Sequence, residues 1–370
     1  MKKVLGPLLL VVLVLGVAGA IFVSAGEQFA QQRVVTVRGL IGSEKRDFFQ
    51  DPQVIAAFRK AGLDVQVETA GSRQISMQLS EAYDFGFPAG IPAAEKIRQE
   101  HTTTNSYDVF FTPMTIASWQ PIAQVLVANG IAVDHGGYYM LDLQKFLDLF
   151  ANEKRWDTFR DNSVYSVNRS VLISSTDPRT SNSAAMYLSL ASYVANDNNI
   201  VQNREQIDTI MPLVQDLFLK QGFTGGSSAA PFNDYLTMGM GKAPLVMIYE
   251  SQFIYQQTLD NGIQSDMVLI YPDPTIYTRH VLVALSAEGD RLGKLLRKDA
   301  DLQEDSRMWE AANELERLAI EHGYRNTDMA YFQQFTNEHN LTLAENLVNV
   351  IDPPTFEITE EMIMRIEQQY

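Results

Sequence analysis

The feature that most constrains this chain is a unit that recurs between residues 34 and 115: an apolar run, a short polar turn, then a helical pattern. The first run, residues 34–42, ends at Gly42-Ser43-Glu44-Lys45, and Phe48, Phe49, Val54, Ile55 and Phe58 are then spaced for one face of a helix that Gly62 closes. The second, residues 65–69, ends at Gly71-Ser72-Arg73, and a helix carrying Ile75, Met77 and Leu79 follows. A third strand at 84–87 leads through a Pro/Gly turn to a helix at 93–99, and a fourth at 109–111 ends in Thr112-Pro113-Met114-Thr115. Strands alternating with helices predict an α/β fold on a parallel sheet with right-handed crossovers. Ligands of such sheets sit beyond the carboxyl ends of the strands, where each of these polar turns lies.

The texture changes after Ile116. The apolar stretch 120–133 reads as a strand crossing into a second domain, and 141–150 as an amphipathic helix. Residues 171–173 read as a strand that breaks at Asp177-Pro178, because the residue before a proline is pushed out of the helical region. A helix restarts at Thr180 or Ser181. Its mouth carries Thr180, Ser181, Asn182 and Ser183 as hydroxyl and amide donors, with Arg179 as a full charge. The first turn of a helix has free N–H groups and the positive end of a dipole, a device for holding an anion or a carbonyl. The plainer reading is an ordinary N-cap. A helix at 204–221, buried strands at 245–249 and 267–271, and a strand at 278–285 that returns to the first domain come next. Residues 290–322 are mostly helical and end at Gly323-Tyr324-Arg325, and the acidic remainder closes with a helix after Thr359.

The length of 370 residues suggests two domains, and 46% hydrophobic residues supply their cores. With no cysteine, a disulfide framework or a thiol nucleophile is ruled out. The net charge of −16 argues against nucleic acid as a partner, since phosphates demand a basic face. At the N-terminus, Lys2 and Lys3 precede residues 4–25, which carry no charge. That run matches a bilayer span of about 20 residues, and the lysines place the N-terminus inside. An uncut anchor at residues 1–26 is the expectation. A signal peptide cut after Ala20 or Ala25 is the alternative, giving a secreted or periplasmic protein.

This pattern, from about residue 33 to 325, resembles the type 2 periplasmic solute-binding proteins of ABC importers, among them binders of molybdate, sulfate and phosphate. The resemblance rests on the order α/β domain, crossover, α/β domain, crossover back; on Gly42-Ser43 and Gly71-Ser72 at the first two strand ends; on Asp177-Pro178 before a Ser/Thr-rich helix mouth; and on Gly323-Tyr324-Arg325 after a long helix. It implies a two-lobed fold with lobe 1 at 33–118 and 280–325, lobe 2 at 119–279, and a C-terminal helical extension at 326–370. It also implies a small polar ligand, an oxyanion by preference, gripped between the lobes without chemistry, and an ABC permease as partner. A membrane-tethered envelope or sensory protein on the same fold, acting through protein contacts, is the rival reading.

The candidate ligand residues are Gly42, Ser43, Gly71, Ser72, Arg73, Thr115, Arg179, Thr180, Ser181, Asn182, Ser183 and Glu250. Lys45 and Arg73 read first as solvated charges on a helical first turn, with a place in the pocket as the alternative. Glu44 and Glu250, if both lined the cleft, would favour an amine-bearing ligand. His280 reads as a packed hinge residue. No enzyme signature is present: Gly226-Ser-Ser-Ala-Ala230 lacks the last glycine of a nucleophile elbow, and the five histidines form no metal-binding pair. Neither the residues nor the resemblance requires a cofactor or a metal.

Overall fold

The computed structural model describes residues 34–222, 225–260, 262–344 and 347–369. The expected N-terminal span at 1–26 lies outside them; among the described residues no helix is long and apolar enough to cross a membrane.

Among the described residues ten strands form one sheet, eight of them in a continuous path from which β7 (Leu245–Tyr249) and β10 (Val350–Ile351) branch. In lobe 1 the order is β2 (Leu63–Ala70), β1 (Val35–Gly42), β3 (Phe85–Phe87), β9 (Thr275–Ala284), then the first part of β4 (Asn105–Trp119). β1 runs parallel to β2 and β3, while β9 enters antiparallel between β3 and β4, so the sheet is mixed rather than purely parallel. Alternation along β1 sends Val37 and Ile41 to one face and Leu40 to the other. Helices α2 (Pro52–Lys60), α11 (Ala287–Arg297) and α12 (Ser306–Glu321) cover the first face; α3 (Ile75–Gln78) and α4 (Ile91–Glu100) cover the second.

The helix expected after β1 is two helices, α1 (Arg46–Gln50) and α2, because Asp51 stands before Pro52 in extended geometry. Asp51 then caps α2 by accepting from Gln53 N at 2.6 Å.

The crossing to lobe 2 is made by β4 itself, fifteen residues long, and not by the stretch 120–133. Up to Pro113 the strand pairs with β9; from Met114 it pairs with β7 (Leu245–Tyr249), and from Ile116 also with β8 (Met267–Asp273). The handover falls at the proline, which has no N–H to give to a ladder. Pro121 then starts helix α5 (Gln120–Ala128), which buries Ile122, Ala123, Val125 and Leu126. β6 (Tyr139–Asp142) and β5 (Ala132–Asp134) complete the lobe 2 sheet beside β8. Helices α6 (Leu143–Ala151), α7 (Asn182–Ala195), α8 (Arg204–Leu219) and α9 (Ala229–Met238) pack around it.

Residues 171–173 are not a strand. They run irregularly beside β7, joined to it only where Ser174 accepts from Met247 N and donates its own N–H to Leu245 O, both at 2.8 Å. Helix α10 (Glu250–Thr258) follows β7 directly.

Past Arg325 come α13 (Met329–Glu338), β10 (Val350–Ile351), which pairs with β9 at Thr275–Ile276, and α14 (Phe356–Glu367). Thr355, not Thr359, is the cap of α14; Thr359 lies fully buried inside the helix.

Candidate functional site

The carboxyl ends of β1 and β2 face the mouth of α7 across a seam between the lobes. After β1, residues Ser43–Lys45 make a single 3-10 turn that carries Glu44 back over Gly42. A Cβ on Gly42 would lie 2.3 Å from the Glu44 carboxylate, so a larger residue there would push that side chain from its place. After β2, Gly71 meets lobe 2 backbone to backbone: a Cβ at Gly71 would lie 2.4 Å from Thr180 O, and Arg73 N donates to that oxygen at 3.1 Å. The two predicted loops therefore touch each other directly.

Lys45 holds the centre. It is fully buried, with its ammonium donating to Glu44 Oε1 and, at 3.1 Å, to His280 Nδ1, and resting 4.7 Å from the centroid of the Phe87 ring. Burial lowers the Lys45 pKa, and the Glu44 charge and hydrogen bond oppose that fall. An ammonium only donates, so His280 Nδ1 must accept, and the ring proton belongs on Nε2. Burial first, and the Lys45 charge second, hold the His280 pKa well below 6.5, which keeps the ring neutral. Its Nε2 is buried and has no hydrogen-bond partner. A buried donor without a partner is uncommon enough in folded proteins to need a cause.

The rest of the seam grows from this centre. Ala89 forms a β-bridge with His280 and donates its N–H to Ser72 Oγ at 2.9 Å, leaving the Ser72 hydroxyl proton to give elsewhere. From lobe 2, Asn182 Nδ2 donates to the Tyr249 hydroxyl at 3.3 Å, and Asn182 Oδ1 presses so close to Gly90 that a Cβ there would lie 2.1 Å away. The Tyr249 ring meets His280 edge to face, 5.7 Å between centroids. Ser181 is the N-cap of α7, yet its Oγ makes no capping bond to the helix; it pairs with Ser183 Oγ at 2.9 Å, which pairs with Thr176 Oγ1 at 2.9 Å. The seam is thus rich in hydroxyl, amide and imidazole donors, and at its centre the Lys45–Glu44 pair cancels its own charge. Beside it, a small recess of about 70 Å³ opens between lobe 1 (Ser43, Glu44, Tyr324) and lobe 2 (Phe232, Asn233, Gln252).

The candidate residues divide accordingly. Gly42, Ser43, Gly71, Ser72, Thr180, Ser181, Asn182 and Ser183 come together at the seam. Arg73 is also there, buried and paired with Glu360 of α14, and Lys45 is buried with it, so neither is the solvated charge that its first-turn position suggested. Arg179 forms a forked pair with Asp177 at the surface side of its loop. Thr115 is buried within β4, its hydroxyl without a partner. Glu250 departs most from expectation. Arg325 Nε and Nη2 donate to its two oxygens at 2.8 Å each, and the Tyr271 hydroxyl donates at 2.6 Å. Both oxygens are engaged inside the protein, so Glu250 is removed as a cleft carboxylate.

Three seam residues lie outside the candidate ligand set: Lys45, read first as a solvated charge; His280, read as a packed hinge residue; and Tyr324, read only as part of a helix end, whose hydroxyl donates to Glu44 O at 2.9 Å. The polar turn at 42–45 pointed to the first, and His280 stood out only as a lone polar residue before an apolar strand.

No family model and no curated protein matches the sequence. Among solved structures, the chain is similar to the periplasmic binding protein AfuA from Actinobacillus pleuropneumoniae, with exogenous fructose-6-phosphate bound. The identity is 11%, the match covers 90% of this chain and 97% of that one, and the TM-score is 0.51. The chain has the fold of the periplasmic solute-binding proteins. Within this fold it is also similar to the sulfate-binding protein SubI from Mycobacterium tuberculosis, with 14% identity, 91% of this chain and 99% of that one covered, and a TM-score of 0.49. A third similar structure, the periplasmic molybdate-binding protein of Azotobacter vinelandii, shares 12% identity over 78% of this chain and 98% of that one, with a TM-score of 0.43.

Proposed function

We propose that this chain is an extracytoplasmic solute-binding protein that captures a small polar ligand between its lobes, an oxyanion by preference, and delivers it to an ABC importer without chemistry. The observation that carries the reading is the donor set at the seam: the Ser72 hydroxyl, the Nε2–H of His280, the Lys45 ammonium and the uncapped first turn of α7. Neutral dipoles and helix N-termini hold a dehydrated oxyanion without a matching counter-charge, and a ligand that bridges both lobes favours their closed arrangement through its higher affinity for it. The ligand residues proposed are Ser43, Ser72, Ser181, Asn182 and Ser183, with Lys45 and His280 beneath them.

The test is a thermal-shift panel of molybdate, tungstate, sulfate, phosphate, amino acids, polyamines and small sugars. A true ligand at a hundred times its dissociation constant adds about 2.7 kcal/mol of stability. An oxyanion hit that Ser72→Ala abolishes supports the reading; a hit confined to polyamines removes the oxyanion preference. One observation favours the rival. The Gly71–Arg73 loop and Thr180 are in direct backbone contact across the seam. A protein whose lobes close on themselves is the tethered envelope or sensory reading, and a panel with no hit at millimolar concentration supports it.

A further inference from the structure

The segment after Arg325 does more than extend lobe 1. It crosses the molecule and fastens at three places. At the crossover, β10 pairs with β9, Thr275 N donates to Asn349 O at 2.9 Å, and Asn349 Nδ2 donates to Asp273 at 3.0 Å. On lobe 2, α14 lies against α8 and α7, with Met362, Ile363 and Ile366 buried in that lobe's core. Arg204 holds Glu361 at 2.8 Å, and Arg365 holds Asp208. Toward lobe 1, the same helix packs on α4, and its Glu360 carboxylate pairs with Arg73, whose side chain is 5% exposed.

We infer that α14 is a latch that holds the two lobes closed through the Glu360–Arg73 pair. The apolar face of α14 belongs to lobe 2, so hinge opening carries it away from lobe 1 and must break that pair. Arg73 stands in the loop proposed to meet the ligand, next to the backbone bond from Arg73 N to Thr180 O. Glu360 is therefore a carboxylate built into the chain that occupies Arg73 and steadies the closed arrangement. This rests on the two-lobed fold alone and holds whether or not the cleft takes an oxyanion.

The test uses the absence of cysteine. The full chain carrying Ala56→Cys on α2 and Gln144→Cys on α6, both exposed, receives a spin label on each lobe, and the distance distribution is measured without added ligand. The parent gives one narrow distribution. Glu360→Ala, which suits a helix, adds a longer distance, and the open fraction rises about tenfold, the scale set by losing a hydrogen bond between charged groups. The charge-reversed pair Glu360→Arg with Arg73→Glu closes the lobes again. Glu361→Ala, whose carboxylate touches Arg204 and Arg365 and no residue of lobe 1, leaves the distribution as in the parent. A Glu360→Ala distribution that superimposes on the parent's, or an equal opening in Glu361→Ala, overturns the latch.

Discussion

Glu250–Arg325 and Glu44–Lys45 are carboxylate–cation pairs with both side chains under 5% exposed, and they are built differently. Glu250–Arg325 is closed on every side: two parallel bonds at 2.8 Å, the Tyr271 hydroxyl on the same carboxylate, and the Phe332 ring 4.7 Å from the guanidinium. Burial alone would lower the Arg325 pKa, but Glu250 outweighs it and the pKa is raised. Glu44–Lys45 is the reverse. There burial prevails and the Lys45 pKa falls, the adjoining imidazole is left with an unpartnered nitrogen, and a recess opens beside Glu44. A fully bonded buried pair fixes chain segments distant in sequence. An incompletely bonded one at a seam between lobes is free to bind something. The difference assigns Glu250–Arg325 to architecture and Glu44–Lys45–His280 to the proposed site.

The largest effect that could break this comparison is on stability. Arg325→Met leaves the buried Glu250 carboxyl without its cation, at a cost of about 3–5 kcal/mol by urea unfolding. Lys45→Met should cost less than half as much, because Glu44 can be re-solvated through the recess. Equal losses would show that both pairs are structural.

The next effect is on pH dependence. His280 faces Lys45, Glu44, Tyr249 and Tyr324, and its pKa in the fold lies well below 6.5. As pH falls below 6.5 the unfolded chain takes up a proton that the folded ring refuses. This contribution to stability is thus complete above that pH and is lost on acidification, with a slope of up to about 1.4 kcal/mol per pH unit. His280→Gln should flatten that part of the unfolding curve measured between pH 7 and 5; an unchanged slope would place the titrating group elsewhere.

The smallest effect separates the seam's two sides. Ser72→Ala strands the buried Ala89 N–H and should cost about 1 kcal/mol. Ser181→Ala removes a hydroxyl that makes no capping bond and should cost about 0.5 kcal/mol, the low end for an N-cap position. A Ser181 loss exceeding the Ser72 loss would mean that the hydroxyl chain through Ser183 and Thr176 carries the helix mouth.

Much of the frame was legible because it is written locally. Apolar runs, the glycine and proline punctuation around them, and the Ser/Thr-rich mouth before residue 182 specify strands, turns and a helix start from neighbouring residues alone. Local reading failed where one signal admitted two structures. Residues 120–128 are apolar enough for a strand, and only Pro121 and the position of β4 make them a helix. Residues 171–173 carry β-branched Val171 and Ile173, but only Ser174, just beyond them, bonds to β7.

What the sequence determined by itself is the succession of elements and the donors at their ends, because capping, turn chemistry and hydrophobic period act over a few residues. The tertiary structure alone decided which charges are spent on the fold and which remain at the seam. Glu250 and Arg325 are 75 positions apart, Lys45 and His280 are 235 apart, and Arg73 and Glu360 are 287 apart. Burial turns a carboxylate into a lock or a binding group according to the partners the fold brings to it, and no spacing in the chain records those partners.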